Sequence, residues 1–224
     1  MIHQRFTPTL TVAIALLCCT FTVSTGYGLP QAAAGTNKEN ATKIEVKSTL
    51  ENLMAAFNGE SNASAKYIVY AKKADGEGFG KVASLFRAAS KAESIHAQNH
   101  AQVIKKLGGV PKADIQIPAA KSTKENLAAA IEGETYEFTV MYPAFIKKAK
   151  EEKNREAVRT MNLASNVEMG HAKLYKEALD NLEAWKAVDK GFFVCPTCGN
   201  TVVQVDFAKC PICFEPNSEF LPVK

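Results

Sequence analysis

The chain has 224 residues, 46% of them hydrophobic, and a formal net charge of +4 with no block of Lys or Arg. That length accommodates one large domain or a medium and a small one, and that hydrophobic share supports a true core. The weak, dispersed charge argues against nucleic acid as a partner.

Residues 1–34 have the form of an export signal. Arg5 is the only early charge, residues 10–23 are almost wholly apolar, and small residues follow, with cleavage contexts at 32–34 and 26–28. The apolar run falls short of the ~20 residues that a bilayer span needs, which makes a retained N-terminal anchor the weaker alternative. Leu17 ahead of Cys18 speaks against a lipoprotein. The lack of a twin arginine points to export of an unfolded chain, to the periplasm. Cys18 and Cys19 would leave with the signal, and residues 35–44 would form a polar tail.

Four helices are expected in a first domain over residues 45–188. The first runs over 46–73 and ends near Asp75-Gly76-Glu77-Gly78. The second runs over 80–107 and is stopped by Gly108-Gly109-Val110-Pro111. Residues 112–121, with Pro118, form a connection. Ser122 or Thr123 caps a third helix that reaches about Lys150 with Pro143 inside it, and a fourth spans 154–187. Two helix pairs joined by one long crossover make a mainly α four-helix bundle of ferritin-like connectivity.

The two halves look duplicated. Asn52-Leu53 matches Asn126-Leu127 and Gly59-Glu60 matches Gly133-Glu134, both 74 residues apart. From Tyr67 and Tyr142 onward the spacing is 75, through Glu93 with Glu168 and His96 with His171. One residue is therefore inserted between Glu134 and Tyr142, and the predicted consequence is a π-bulge in the third helix.

The chemistry lies in Glu93-x-x-His96 and Glu168-x-x-His171. On a helix, residues i and i+3 share a face, so each pair aims a carboxylate and an imidazole at one point. Glu60 and Glu134, each behind a helix-interior glycine, would complete a site for two metal ions. Any one of these glutamates alone reads better as part of a solvated face, but their repetition at equivalent places does not. Glu137 adds a fifth carboxylate where the first half has Ala63. Five carboxylates leave the same small net negative charge on a diferrous site as on an oxo-bridged diferric one, so two electrons could pass with little change in buried charge. A site rich in carboxylate with some imidazole suits iron or manganese. Tyr67 and Tyr142 would be either hydrogen-bond donors to these carboxylates or packed aromatics. His100, one turn past His96, is expected at the surface.

The last four cysteines form two C-x-x-C pairs, Cys195/Cys198 and Cys210/Cys213, in a second domain over 190–224. Two disulfides are conceivable in an exported protein, but the spacing favours one tetrahedral site for Fe or Zn. So short a segment needs the metal to fold.

Over residues 45–224 the chain resembles the rubrerythrins, a ferritin-like di-iron bundle fused to a rubredoxin-like domain. Gly59-Glu60, Glu93-x-x-His96, Gly133-Glu134-x-x-Glu137, Met141-Tyr142-Pro143, Glu168-x-x-His171 and both cysteine knuckles carry the resemblance. It implies that Glu93 and Glu168 bridge two irons, that Glu60 and Glu134 bind one each, and that His171 completes the second. Glu137 and His96 would alternate on the first, and Cys195, Cys198, Cys210 and Cys213 would hold a third iron. The implied activity is reduction of hydrogen peroxide to water, fed through Fe(Cys)4 by an electron-donor protein that the sequence does not name. Ferrous oxidation or iron handling is the alternative, as is a non-redox protein with Zn at the cysteines. The resemblance also implies a head-to-tail homodimer, because within one subunit the cysteine site is expected to lie far from the bundle site. Two departures stand out: the export signal, and Phe214 where a rubredoxin knuckle has glycine.

Overall fold

Both halves of the bundle start with the same device. Ser48 and Ser122 each accept the N–H of the third helical residue, Glu51 or Glu125, whose carboxylate reaches back to the serine N–H. Asn52 and Asn126 then clamp the backbone of Lys47 and Lys121 through paired 3.0 Å hydrogen bonds. The computed structural model describes residues 44–186 and 191–224. The predicted signal and all but the end of the polar tail lie outside the described residues.

From these caps run α1 (Thr49–Gly76) and α3 (Thr123–Tyr136), with α2 (Gly80–Lys106) pairing with α1. The third predicted helix is divided, as the inserted residue required: a π-helical segment, Glu137–Met141, separates α3 from α4 (Tyr142–Glu151). Pro143 sits in the first turn of α4, where its missing N–H does no harm. The fourth helix, α5, spans Arg155–Asp180 and so ends short of the expected residue 187. Asn181 leaves helical geometry (φ −122°), and a 3-10 turn, Leu182–Lys186, takes over. The crossover after α2 is tied to α1, where Asn58 and Asn62 bond the backbone of Asp114 and Gln116.

Helix ends also close helix starts. Glu77, after α1, accepts the N–H of Thr123 at 2.8 Å, and Glu152, 75 residues later, accepts that of Thr49 at 3.0 Å. Thr123, by its side chain and then its N–H, holds the Glu77 carboxyl down at about 2, with support from Lys73. A lowered carboxyl stabilises the fold above the ordinary value of 4.5, and this contribution disappears as pH falls through 2. Glu77→Ala is therefore expected to lower stability by about 1 kcal/mol at pH 7 and by nothing near pH 2, read by urea denaturation at both.

The small C-terminal sheet has the order β2–β1–β3, all antiparallel, from β1 (Phe192–Val194), β2 (Thr201–Val202) and β3 (Leu221–Val223). It does not stand apart. Phe192 and Val194 are fully buried in the cluster that holds Phe86, Ala88 and Ala92 of α2 and Trp185. Burying a side chain such as Phe192 contributes about 1.5–3 kcal/mol, which fixes the cysteine knuckles against the bundle. A second cluster, around Leu53, Ile104, Tyr142, Phe145 and Met161, fills the other end of the bundle.

Candidate metal centre

Between the two apolar clusters, α1, α2, α3 and α5 aim charged side chains inward. Glu60, Glu93, His96 and Glu168 bring one donor atom each within 4.8 Å of one another, and so do Glu93, Glu134, Glu168 and His171. Donors at about 2.1 Å from a common ion lie roughly 3–4 Å apart, so each group has the dimensions of a metal site. Glu93 and Glu168 belong to both. All six side chains are buried.

The hydrogen bonding makes the same point. Glu60 Oε2, both oxygens of Glu93, Glu168 Oε1 and His96 Nδ1 are buried without a hydrogen-bond partner. Yet His96 Nδ1 lies 2.7 Å from Glu168 Oε1 and 2.9 Å from Glu93 Oε2. Lone pairs that converge at such distances without donor geometry need a cation among them.

Protonation reflects that need. Burial first, then the neighbouring carboxylates Glu168 and Glu93, raises Glu60 to about 8. Burial and adjacent carboxylates also push Glu134 and Glu137 well up. Burial works against charge on His96 and His171, but Glu168 and Glu93 override it and raise both imidazoles. Glu93 goes the other way: against burial, His171 and His96 hold it low. Protons thus do part of the work that metal charge would do.

Around the donors stands a set of orienting bonds. Tyr142, from the second half, donates to Glu60 of the first, and Tyr67 of the first donates to Glu134 of the second. Tyr67 is packed as well, against Phe86 and Tyr175. Both roles considered for these tyrosines therefore hold at Tyr67. Glu137, half-buried on the π segment, joins neither group of four, and the first group holds His96 instead.

The cysteines form the other centre. All four are free thiols, with Sγ separations of 3.4 Å for Cys195–Cys213 and 3.6 Å for Cys198–Cys210. A tetrahedron with metal–sulfur bonds of about 2.3 Å has edges of about 3.8 Å, so this is a metal cage rather than two disulfides. The knuckle turns match: Gly199 N–H donates to Cys195 O and Phe214 N–H to Cys210 O, both at 2.9 Å. Phe214 adopts the left-handed conformation of a glycine (φ +67°, against +81° at Gly199) and keeps the turn intact.

The two centres touch within one chain, which corrects the expected separation. His96 Nε2 lies 2.9 Å from the carbonyl of Cys198, and His171 Nε2 lies 3.1 Å from Thr201 Oγ1, which itself donates to Gly199 O. Each imidazole is therefore held through a hydrogen on Nε2, which leaves Nδ1, on the carboxylate side, as the nitrogen a metal would take in place of a proton. Asn99 adds a bond to Thr197 O at 2.9 Å.

His100 is a second correction. It is fully buried, bonded through both ring nitrogens to Tyr142 and Thr160, and burial next to His96 lowers it to about 3. Its place seven residues after Glu93 and four after His96, on the inward face of α2, was the available signal. No spacing rule points to Thr160 or Thr201.

The rubrerythrin family model matches residues 51–179. Among curated proteins, nigerythrin of Nitratidesulfovibrio vulgaris is 43% identical over 179 residues, 80% of this chain and 88% of that one. Rubrerythrin-2 of Clostridium acetobutylicum is 33% identical over 167 residues, 74% of this chain and 91% of that one. A solved structure described as the fully reduced, all-ferrous state of nigerythrin superposes with a TM-score of 0.77 at 38% identity, covering 90% of this chain and all of that one.

Proposed function

Because the chain belongs to the rubrerythrin family, we propose that it is a non-haem di-iron peroxidase that reduces hydrogen peroxide to water. The observation that carries this reading is the junction at His96. Its Nδ1 belongs to the first carboxylate group, and its Nε2 bonds the backbone of Cys198, a member of the thiol cage. Iron handling alone needs no thiolate centre joined to a bundle ligand in this way.

Glu60, Glu93, His96 and Glu168 would hold one iron, and Glu93, Glu134, Glu168 and His171 the other, with Glu93 and Glu168 shared. Glu137, whose carboxylate feels that of Glu60, would take the place of His96 when the site is oxidised. Cys195, Cys198, Cys210 and Cys213 would hold the third. Bound there, two ferrous ions would supply one electron each for cleavage of the peroxide O–O bond, a two-electron step that releases no hydroxyl radical.

The protein's own part is orientation and exclusion. The Tyr142 and Tyr67 hydroxyls fix which oxygens of Glu60 and Glu134 face the site, and the Cys198 and Thr201 oxygens fix both imidazoles. Burial of all six donors keeps bulk water out. Electrons arriving at the thiol cage have a route through Cys198 and His96. Of the four cysteines only Cys213 is partly exposed, so an electron-donor protein would approach from its side. A head-to-tail homodimer and export through residues 1–34 complete the proposal. The contacts within one chain mean that a monomer would keep the electron route.

Stopped-flow oxidation of the fully reduced protein tests it. The reduced bundle site is expected to react faster with peroxide than with O2, and a peroxide reaction that is no faster would remove the peroxidase reading. Visible spectra of the same sample separate iron from zinc at the cysteines, since Fe(Cys)4 is red and zinc colourless.

A further inference from the structure

His100 joins a surface groove to the first metal group by a row of hydrogen bonds. Its Nε2 is 3.0 Å from the Tyr142 hydroxyl and its Nδ1 is 3.1 Å from Thr160 Oγ1. The chemistry of the far end sets the direction. Tyr142 gives its only hydroxyl hydrogen to Glu60, so its oxygen can only accept from His100, which must carry hydrogen on Nε2. Nδ1 is then an acceptor and Thr160 the donor. Every hydrogen in the row points inward, from Thr160 to Glu60. Thr160 lies in the wall of a groove of about 280 Å³ between α2 and α5, among Asn99, Gln102, Lys106, Glu156 and Arg159. Val103 and Leu163 also line it, and an open groove with these polar groups admits solvent.

The duplication supplies an internal comparison. Seventy-five residues from His100 stands Tyr175, and seventy-five from Thr160 stands Leu85. Tyr175 packs beside Tyr67 as His100 packs beside Tyr142, with ring centroids 5.6 and 5.9 Å apart. But the Tyr175 hydroxyl is buried without a partner, and Leu85 is fully buried in the apolar core. The row behind Glu134 is closed; the one behind Glu60 reaches water.

We infer that Thr160, His100 and Tyr142 deliver protons from the groove to Glu60, and that the equivalent positions behind Glu134 do not. This rests on the peroxidase reading, which requires them: peroxide takes two electrons from the ferrous pair and two protons from solvent to give two waters. In one pass Tyr142 hands its hydrogen to Glu60 and takes the Nε2 hydrogen of His100. Glu60 gives that hydrogen up to the peroxide oxygen as it becomes water, and the carboxylate is bare again. Nδ1 takes that of Thr160, and groove water refills Thr160. The pass leaves His100 with its hydrogen on Nδ1, so the ring must exchange tautomer before the next one.

Two measurements test this on the full-length chain. In the zinc-loaded protein, 15N NMR should find His100 neutral with hydrogen on Nε2; hydrogen on Nδ1 reverses the row and overturns the inference. In the iron-loaded protein, Thr160→Val and His100→Gln should each slow the peroxide reaction of the reduced site by about tenfold or more and change its solvent isotope effect. Iron content and visible spectrum should remain those of wild type, and Tyr175→Phe should react as wild type does. A loaded Thr160→Val that reacts at the wild-type rate, or a Tyr175→Phe that slows equally, would defeat the inference. If wild type reacts no faster with peroxide than with O2, the peroxidase reading fails, and the NMR result still decides the direction of the row.

Discussion

Stripped of the metal in its bundle, the protein should be most stable near pH 4.5 and should lose roughly 5 kcal/mol or more by pH 8. Glu60 sets the scale. It is raised from 4.5 to about 8, so the fold holds a proton there that the unfolded chain releases above pH 4.5. The stabilisation is full below 4.5 and vanishes as pH rises through 8. Glu134 and Glu137, also raised, act in the same direction. So do His96 and His171, whose raised values make the contribution complete below 6.5 and lost above it. Within this range His100 opposes them: lowered from 6.5 to about 3, it favours the fold increasingly as pH rises to 6.5 and not beyond. Glu93, held low, changes its contribution only below 4.5. The decline should therefore steepen above pH 6.5. A loss of that size rivals the whole stability of an ordinary domain. Metal reverses the trend, because ligation requires bare carboxylates and expels the protons, so affinity climbs with pH. Denaturant titrations of the metal-free chain at pH 5, 6.5 and 8 check this. A curve that is flat or rising from pH 5 to 8 would show that the carboxylates do not share a buried site. Glu60→Gln, which cannot ionise, should flatten the curve.

What the sequence revealed and what it concealed divide along the range of the interactions. Glu93 with His96, and Glu168 with His171, are three residues apart on one helix, so their convergence is a local property of α-helical geometry. The π segment was legible for a similar reason, since an extra residue between Glu134 and Tyr142 must go somewhere in a bundle whose halves otherwise match. Hidden was everything that depends on where the small sheet docks. Phe192 and Val194 settle it by entering the bundle's own core, and nothing in their spacing names α2 as their partner. The bonds from His96 to Cys198 and from His171 to Thr201 follow from that docking, which is why the two centres were expected to lie apart. His100 was misplaced because a histidine next to a ligand face has no intrinsic preference for interior or surface. Its buried partners, Tyr142 and Thr160, come from two other helical segments, α4 and α5.

Gly199→Ala should uncouple the two centres while each still binds its metal. The position has φ +81°, where a side chain costs about 1–2 kcal/mol. The new methyl would stand 2.7 Å from His96 Nε2 and 3.1 Å from the Ala92 Cβ. Neither neighbour can give way: Ala92 is fully buried on α2, and the His96 ring is held by the carboxylates at its other nitrogen. The knuckle must retreat, at a further cost of about 1–3 kcal/mol for overpacking. Its retreat strips His96 Nε2 of the Cys198 carbonyl, leaving a buried N–H worth about 1–3 kcal/mol unsatisfied. Iron content should be retained, the bundle site should still react with peroxide, and reoxidation of the reduced thiolate centre should lag behind it. Phe214→Gly is the matched contrast. It occupies the same turn in the other knuckle at φ +67°, but its side chain is 72% exposed. Removing that side chain relieves backbone strain of about 1 kcal/mol and should leave electron transfer unchanged. A Gly199→Ala protein whose thiolate centre reoxidises as fast as wild type would mean that electrons do not pass through the contact between Cys198 and His96.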